Sequence, residues 1–166
     1  VADTFDAEED PVTHNCTSWT DRRYKDSYLM GQQYDYVTKE PLSLNGVPYN
    51  HINFIASPTA AEEFDGYRYG KYEIKIGQKW ETDQDWVVYR LGETLMMKAE
   101  CLIRNGDAEG AVKIVNDVRK RSFDQSLPES KRCLTAEQLA ATVTVNGVQV
   151  QYGEFLNELG REFTGE

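Results

Sequence analysis

The sequence predicts a mainly α fold: tetratricopeptide-like helical hairpins (an α-α superhelix) carrying an irregular, loop-rich layer and one or two small β-hairpins. Three observations predict it. Apolar residues between positions 85 and 123 recur every three or four residues, the period of a helix with one buried face. An Asn105-Gly106-Asp107 turn cuts that run in two. The first half of the chain is crowded with turn signals and tyrosines and has few helical periods. Residues 1–84 therefore read as a loop-rich aromatic segment with short strands. Residues 85–166 read as a helical segment with a hairpin inserted at 142–151, and the two together as one partial domain.

Within the first segment, acidic residues cluster at Asp3, Asp6, Glu8, Glu9 and Asp10. Turn signals fall at Pro41, Asn45-Gly46, Ser57-Pro58 and Asp65-Gly66. The stretch from Leu42 to Pro48 predicts a small hairpin about Asn45-Gly46. Alternation in YRYGKYEIKI, from Tyr67 to Ile76, predicts an extended segment or short strand.

The first helix carries Val88, Leu91, Leu95, Ala99, Leu102 and Ile103 on its expected core face, with Cys101 beside it as a small buried hydrophobe. Gly106 suits the left-handed position that closes a helix, and Asp107 suits the cap of the next. Ala108, Ala111, Val112, Val115 and Val118 give the second helix its face, and the small residues allow close approach. Such hairpins usually build binding scaffolds.

Further on, Thr135-Ala-Glu-Gln138 is a capping box opening a short helix. From Thr142 the period changes to two, and Asn146-Gly147 predicts a hairpin turn. A last helix begins near Tyr152, with Phe155, Leu156, Leu159 and Phe163 on one stripe, and is expected to run off the end of the chain at Glu166. With no C-cap and no initiator Met, the chain reads as part of a longer polypeptide.

Composition narrows the function. The 166 residues are 40% hydrophobic and 28% charged, enough for a packed core. A net charge of −10 argues against nucleic acid, which needs a basic surface, and against an anionic membrane surface. Cys16, Cys101 and Cys133 have no zinc-ligand spacing; Cys16 and Cys133 are left able to pair in an oxidising compartment. No run of residues matches a membrane span or a signal peptide.

Catalytic and metal signals are absent from the pattern. His14 and His51 lie in turn-rich segments without ligand spacing, no nucleophile elbow occurs, and Gly66 and Gly70 fit no phosphate-binding loop. No cofactor is implied. Two other sets stand out. Arg90, Glu93, Glu100, Asn116, Arg119, Arg121, Glu158, Arg161 and Glu162 interleave with apolar helix positions and suit an ion-pair network between helices. Loop aromatics such as Trp19, Tyr24, Tyr34, Tyr36, Tyr49, Phe54, Trp80 and Trp86 either pack a loop-rich layer or stack on sugar rings. Tyr67, Tyr72 and Trp86 suit the packing role.

The stretch Trp86-Val-Val-Tyr-Arg-Leu-Gly-Glu-Thr-Leu-Met-Met-Lys-Ala-Glu-Cys101 resembles the signature helix of the SusD/RagB nutrient-binding outer-membrane lipoproteins of Bacteroidetes. The matched positions are Arg90, Gly92, Glu93, Ala99 and Glu100, with Cys101 where the family has Ala. Gly106-Asp107 through Ala111, then Asn116-Asp-Val-Arg-Lys-Arg121, is similar to the family's next helix. Phe155 to Glu166, with Arg161 and Glu162, is similar to a later one, although Leu159-Gly160 blurs its Glu-Arg pair. Asp21-Arg-Arg23, Gly66-Tyr67 and Lys71-Tyr72 are weaker landmarks.

This resemblance implies a carboxy-proximal fragment whose amino-terminal half, with its lipid anchor, is a missing partner. It implies binding of glycans or oligosaccharides at the surface of the outer membrane, as a lid on a SusC-like TonB-dependent transporter, with no catalysis. The matched motifs are structural, so candidate ligand residues come from residue type and loop position: Trp19, Tyr34, Tyr36, Tyr49 and His51. Alternatives are a tetratricopeptide-like protein-interaction module and a glycoside hydrolase.

Overall fold

The computed structural model describes residues 5–72, 76–77, 85 and 87–166. They form two compact units, residues 1–84 with 165 and residues 85–164 with 166. Of the described residues, 36% are helical and 19% lie in strands or bridges, spread over several small sheets. The protein is therefore mixed α/β, and the mainly α superhelix expected from the 85–123 hairpin is incorrect. The helical period is strong and local. The strands are two to four residues long, too short to announce themselves by alternation.

In the first unit, β1 (Ala7–Glu9) pairs antiparallel with β2 (Cys16–Trp19), and the register slips at Glu8/Glu9. A short helix, α1 (Arg23–Ser27), leads into β3 (Tyr28–Leu29) and β4 (Gly31–Gln32). Next come β5 (Ser43–Leu44), β6 (Val47–Pro48), β7 (Asn50–His51) and β8 (Arg68–Tyr69). The pairs β3–β8, β4–β7 and β5–β6 are all antiparallel. The β5–β6 turn has Asn45 at φ 52° and Gly46 at φ 81°, the left-handed pair that an Asn-Gly hairpin needs. The alternating stretch from Tyr67 yields only β8; residues 73–75, Trp80 and Trp86 lie outside the described residues.

Two turns of this unit are built alike. In Asp10-Pro-Val-Thr-His14, the Asp10 carboxylate accepts from the Val12 and Thr13 amides at 2.9 and 2.6 Å, and His14 takes φ 56°. In Asp35-Tyr-Val-Thr-Lys39, Asp35 accepts from the Val37 and Thr38 amides at 2.9 and 2.7 Å, and Lys39 takes φ 61°. These are Asx turns. Their backbone donors hold both aspartate carboxyls below the ordinary range. The core of the unit is aromatic: Phe5 stacks on Tyr24 at 5.5 Å, and Tyr28 and Tyr67 close around Tyr24. Glu9 pins this cluster, accepting from Tyr24 at 2.7 Å, Tyr67 at 3.0 Å and Asn53 at 3.0 Å.

In the second unit, α2 (Leu91–Arg104) and α3 (Ala108–Arg119) form a helical hairpin. Gly106 adopts φ 85° and the Asp107 carboxylate caps α3 by accepting from the Gly110 amide at 2.8 Å. A 3-10 turn (Lys120–Ser122), α4 (Glu129–Arg132) and α5 (Ala136–Ala140) follow. Thr135 and Gln138 satisfy each other's backbone donors in a capping box. The hairpin β9 (Val143–Val145) and β10 (Val148–Val150) precedes α6 (Gly153–Phe163). Met96, Ala99, Ile103, Ala111, Val112, Val115, Val118, Leu139 and Phe155 form one core.

Four details depart from the sequence pattern. Arg90 is extended at φ −137°, so α2 starts at Leu91 and Val88 precedes it; Val88 and Leu91 are exposed and lie off the core. Cys101 is exposed: at roughly 100° per residue it falls opposite the Met96, Ala99 and Ile103 stripe. Leu156 is exposed, because the buried face of α6 runs through Phe155, Glu158, Arg161 and Glu162. The last helix ends at Phe163 and does not reach the final residue, since Gly165 turns left-handed at φ 78°. All three cysteines are free thiols.

Candidate ligand-binding site

An open cavity of about 350 Å3 lies in the first unit. Its rim is made by the end of β2, by α1 and by the β3–β4 segment. Trp19 is the last residue of β2, held in register opposite Ala7. Asp21 then anchors α1: its carboxylate is buried and accepts from the Arg23 backbone amide at 3.1 Å and from Arg23 Nη2 at 2.6 Å. This fixes α1 so that Lys25 Nζ stands 5.4 Å from the Trp19 ring centre. Tyr28 and Leu29 follow directly, and Gly31, at φ 70°, makes the bend that a side chain would resist. Gln32, Gln33 and Tyr34 complete the lining.

The two glutamines are oriented by the backbone. Gln32 Nε2 donates to the Gln33 and Leu42 carbonyls, both at 2.8 Å. Gln33 Nε2 donates to the Met30 and Gly31 carbonyls at 3.1 and 2.9 Å. Both amide donors of each side chain are thus committed, which leaves the Oε1 atoms as the groups free to receive hydrogen bonds.

Of the five residues proposed from sequence, Trp19 and Tyr34 meet at this cavity, and both are exposed. Tyr36 is exposed on the following turn with Lys39 Nζ 4.4 Å over its ring, and does not line the cavity. Tyr49 and His51 pack edge to face at 4.9 Å away from the lining. The Tyr49 hydroxyl donates to Glu63 at 3.1 Å, and that bond pushes its pKa up. His51 is buried at 1% exposure, so it cannot meet a ligand from solvent. Burial, and then the Arg68 charge, hold its imidazole pKa below the ordinary value. Sequence reasoning missed Lys25, Tyr28, Gln32 and Gln33. A lone lysine and a Gln-Gln pair carry no spacing signal, because the role of Lys25 depends on the Trp19 ring and that of the glutamines on carbonyls made accessible by the bend at Gly31 and by Leu42.

The charged helix residues do a different job, in the second unit. Arg119 Nη1 donates to the buried Glu158 carboxylate at 2.6 Å, and Arg161 Nε reaches the same oxygen at 2.8 Å. Arg161 also pairs with Glu154, and Arg121 with Glu162. Arg90 joins Glu162 and Glu166. Asn116 clamps the Leu134 backbone at both its N–H and its carbonyl, at 2.8 and 2.9 Å. Glu100 pairs only locally with Arg104 at 2.8 Å. Glu93 lies at a smaller hollow with Val87, Val88, Phe163 and Glu166. Among the described residues no group of three or more His, Cys, Asp or Glu could hold a metal, and no helix is long and apolar enough to cross a membrane.

Among the described residues, the buried Arg23, Arg119, Glu158, Arg161 and Glu162 take part in ion pairs within the scaffold, while the exposed Trp19 and Tyr34 border an open cavity. The chain belongs to the SusD family: its sequence matches the SusD_RagB family over residues 4–166. No curated protein matches it, and no solved structure does. Family membership places it among nutrient-binding proteins.

Proposed function

We propose that the protein binds glycans or oligosaccharides at the cell surface for delivery to a SusC-like TonB-dependent transporter, and that it catalyses no reaction on them. The observation that carries this reading is the meeting of Trp19 and Tyr34 at one open cavity, beside hydrogen-bond acceptors whose orientation is set by the backbone. Flat rings offer a face to the C–H surface of a sugar, and the acceptors receive its hydroxyls. Tyr36 extends the aromatic surface as an outer contact. His51 and Tyr49 are left to hold the β7 segment in place. The family is one of outer-membrane surface lipoproteins, and we place the protein there, with the lipid anchor carried on an amino-terminal region.

Calorimetry with a panel of oligosaccharides tests the reading. Trp19→Ala and Tyr34→Ala should each weaken binding about tenfold, the loss of one stacking contact. Affinities unchanged in both variants would remove the cavity from consideration. Turnover of a bound glycan would contradict the non-catalytic role. Copurification with a β-barrel transporter tests the delivery partner.

A further inference from the structure

Resting on the reading above, we infer that the Trp19 cavity is selective for an acidic saccharide, one bearing a carboxylate or a sulfate ester that pairs with Lys25. The chain as a whole is acidic, with 28 Asp and Glu against 18 Lys and Arg, yet among the described residues no carboxylate lines the cavity and a lysine does.

That lysine has no carboxylate partner among the described residues. Its neighbours on the same stretch are paired: Arg22 with Asp26 at 2.9 Å, and Arg23 with Asp21 at 2.6 Å. Lys25 has only the Trp19 ring. A cation held against an aromatic face loses water on that side and keeps its charge for whatever enters the cavity.

The glutamines determine where the anion can sit. Their N–H groups are spent on carbonyls, which leaves Oε1 as the atom of each side chain with hydrogen-bonding capacity to spare. These oxygens accept from sugar hydroxyls and repel an anion. The acidic group is therefore driven to the Lys25 side, the hydroxyls to the Gln32 and Gln33 side, and the apolar sugar face to Trp19 and Tyr34. A neutral sugar would satisfy two of these three contacts and leave the cation unused.

The test uses paired ligands of equal size: oligogalacturonate against its methyl ester, and a sulfated oligosaccharide against its desulfated form. Calorimetry reads the binding. The acidic member of at least one pair should bind about two- to fivefold tighter, the scale of one exposed ion pair. Which pair responds separates carboxylate from sulfate. The advantage should shrink as salt rises from about 0.05 to about 0.5 M. Lys25→Gln should abolish the difference within the pair, and Lys25→Arg should keep it. Equal affinities within both pairs, with binding still dependent on Trp19, would overturn the charge selectivity and leave saccharide binding standing. A difference that survives Lys25→Gln would also overturn it. Absence of binding to all four ligands would bring down both readings.

Discussion

Arg90 holds Glu162 twice: its Nη1 donates to the Glu162 carboxylate at 2.7 Å and its Nη2 to the Glu162 main-chain carbonyl at 2.7 Å. The carboxylate is almost wholly buried, with a side-chain exposure of 1%, and Arg121 shares it. One anion thus ties the residue before α2 and the turn after α3 to the last helix. Arg90 also lies 4.7 Å over the Phe163 ring, which packs its guanidinium from a third side.

Glu162→Gln keeps the shape and removes the charge. Two guanidinium groups then lose their shared anion, one of them partly buried. Arg90 keeps Glu166 and Arg121 is more than half exposed, so no charge is left buried and unpaired, and what is lost is charge-assisted hydrogen bonding worth about 1.5–3 kcal/mol. We expect a loss of that order in urea unfolding of the second unit. A loss under about 1 kcal/mol would mean that the network is dispensable.

Gly153 opens α6 against β9. A Cβ placed there would lie 2.0 Å from Val143 Cγ2, an impossible approach. Gly153→Ala should destabilise by about 1–3 kcal/mol through overpacking. Val143→Ala removes the obstructing methyls, so the double variant should recover part of that loss. Strict additivity in the thermodynamic cycle would show that the two residues do not clash.

Acid should loosen the first unit through Glu9. Burial alone would raise this carboxyl, but hydrogen bonds from Asn53, Tyr24 and Tyr67 outweigh it and hold the pKa below its ordinary value of 4.5. A depressed carboxyl pKa stabilises the fold above the unfolded value, and that stability is lost as pH falls through the folded one. Near-ultraviolet circular dichroism of the tyrosine cluster should therefore fade below about pH 4.5. Glu9→Gln should be less stable at neutral pH and should flatten that acid limb. An unchanged acid slope in the variant would exclude Glu9 as the sensitive group.

His51 should titrate below the ordinary histidine value of 6.5, owing first to burial and then to the Arg68 charge. A depressed histidine pKa means that the unfolded chain takes up the proton more readily, so stability is full above about 6.5 and falls as pH drops below it. Proton NMR of its ring should show the low midpoint. Arg68→Gln should move that midpoint upward. A midpoint at or above 6.5 in the unaltered protein would refute the assignment.

Much of the second unit was legible. Asn146-Gly147, Gly106-Asp107 and the Thr135/Gln138 box are signals whose residues and partners lie within a few positions of each other, and each forms as its chemistry dictates. The twin turns at Asp10 and Asp35 share an Asp-x-Val-Thr repeat that is visible in the sequence. The short strands were not. A ladder such as Tyr28 with Tyr69 joins residues far apart in sequence, and a two-residue strand shows no alternation.

The candidate site divides in the same way. Trp19 and Tyr34 could be named by residue type, but so could Tyr49 and His51, and only packing separates the exposed pair from His51, which is buried, and from Tyr49, which does not line the cavity. The sequence by itself determined family, helical hairpin, caps and hairpin turns, because these depend on local periodicity and on backbone conformations that few residues tolerate. The tertiary structure alone decided the mixed α/β character, the burial of His51, the exposure of Cys101 and the grouping of Trp19, Lys25, Gln32, Gln33 and Tyr34 around one cavity. Those follow from long-range strand pairing and from which carbonyls reach which amides, and neither is written in any short stretch of chain.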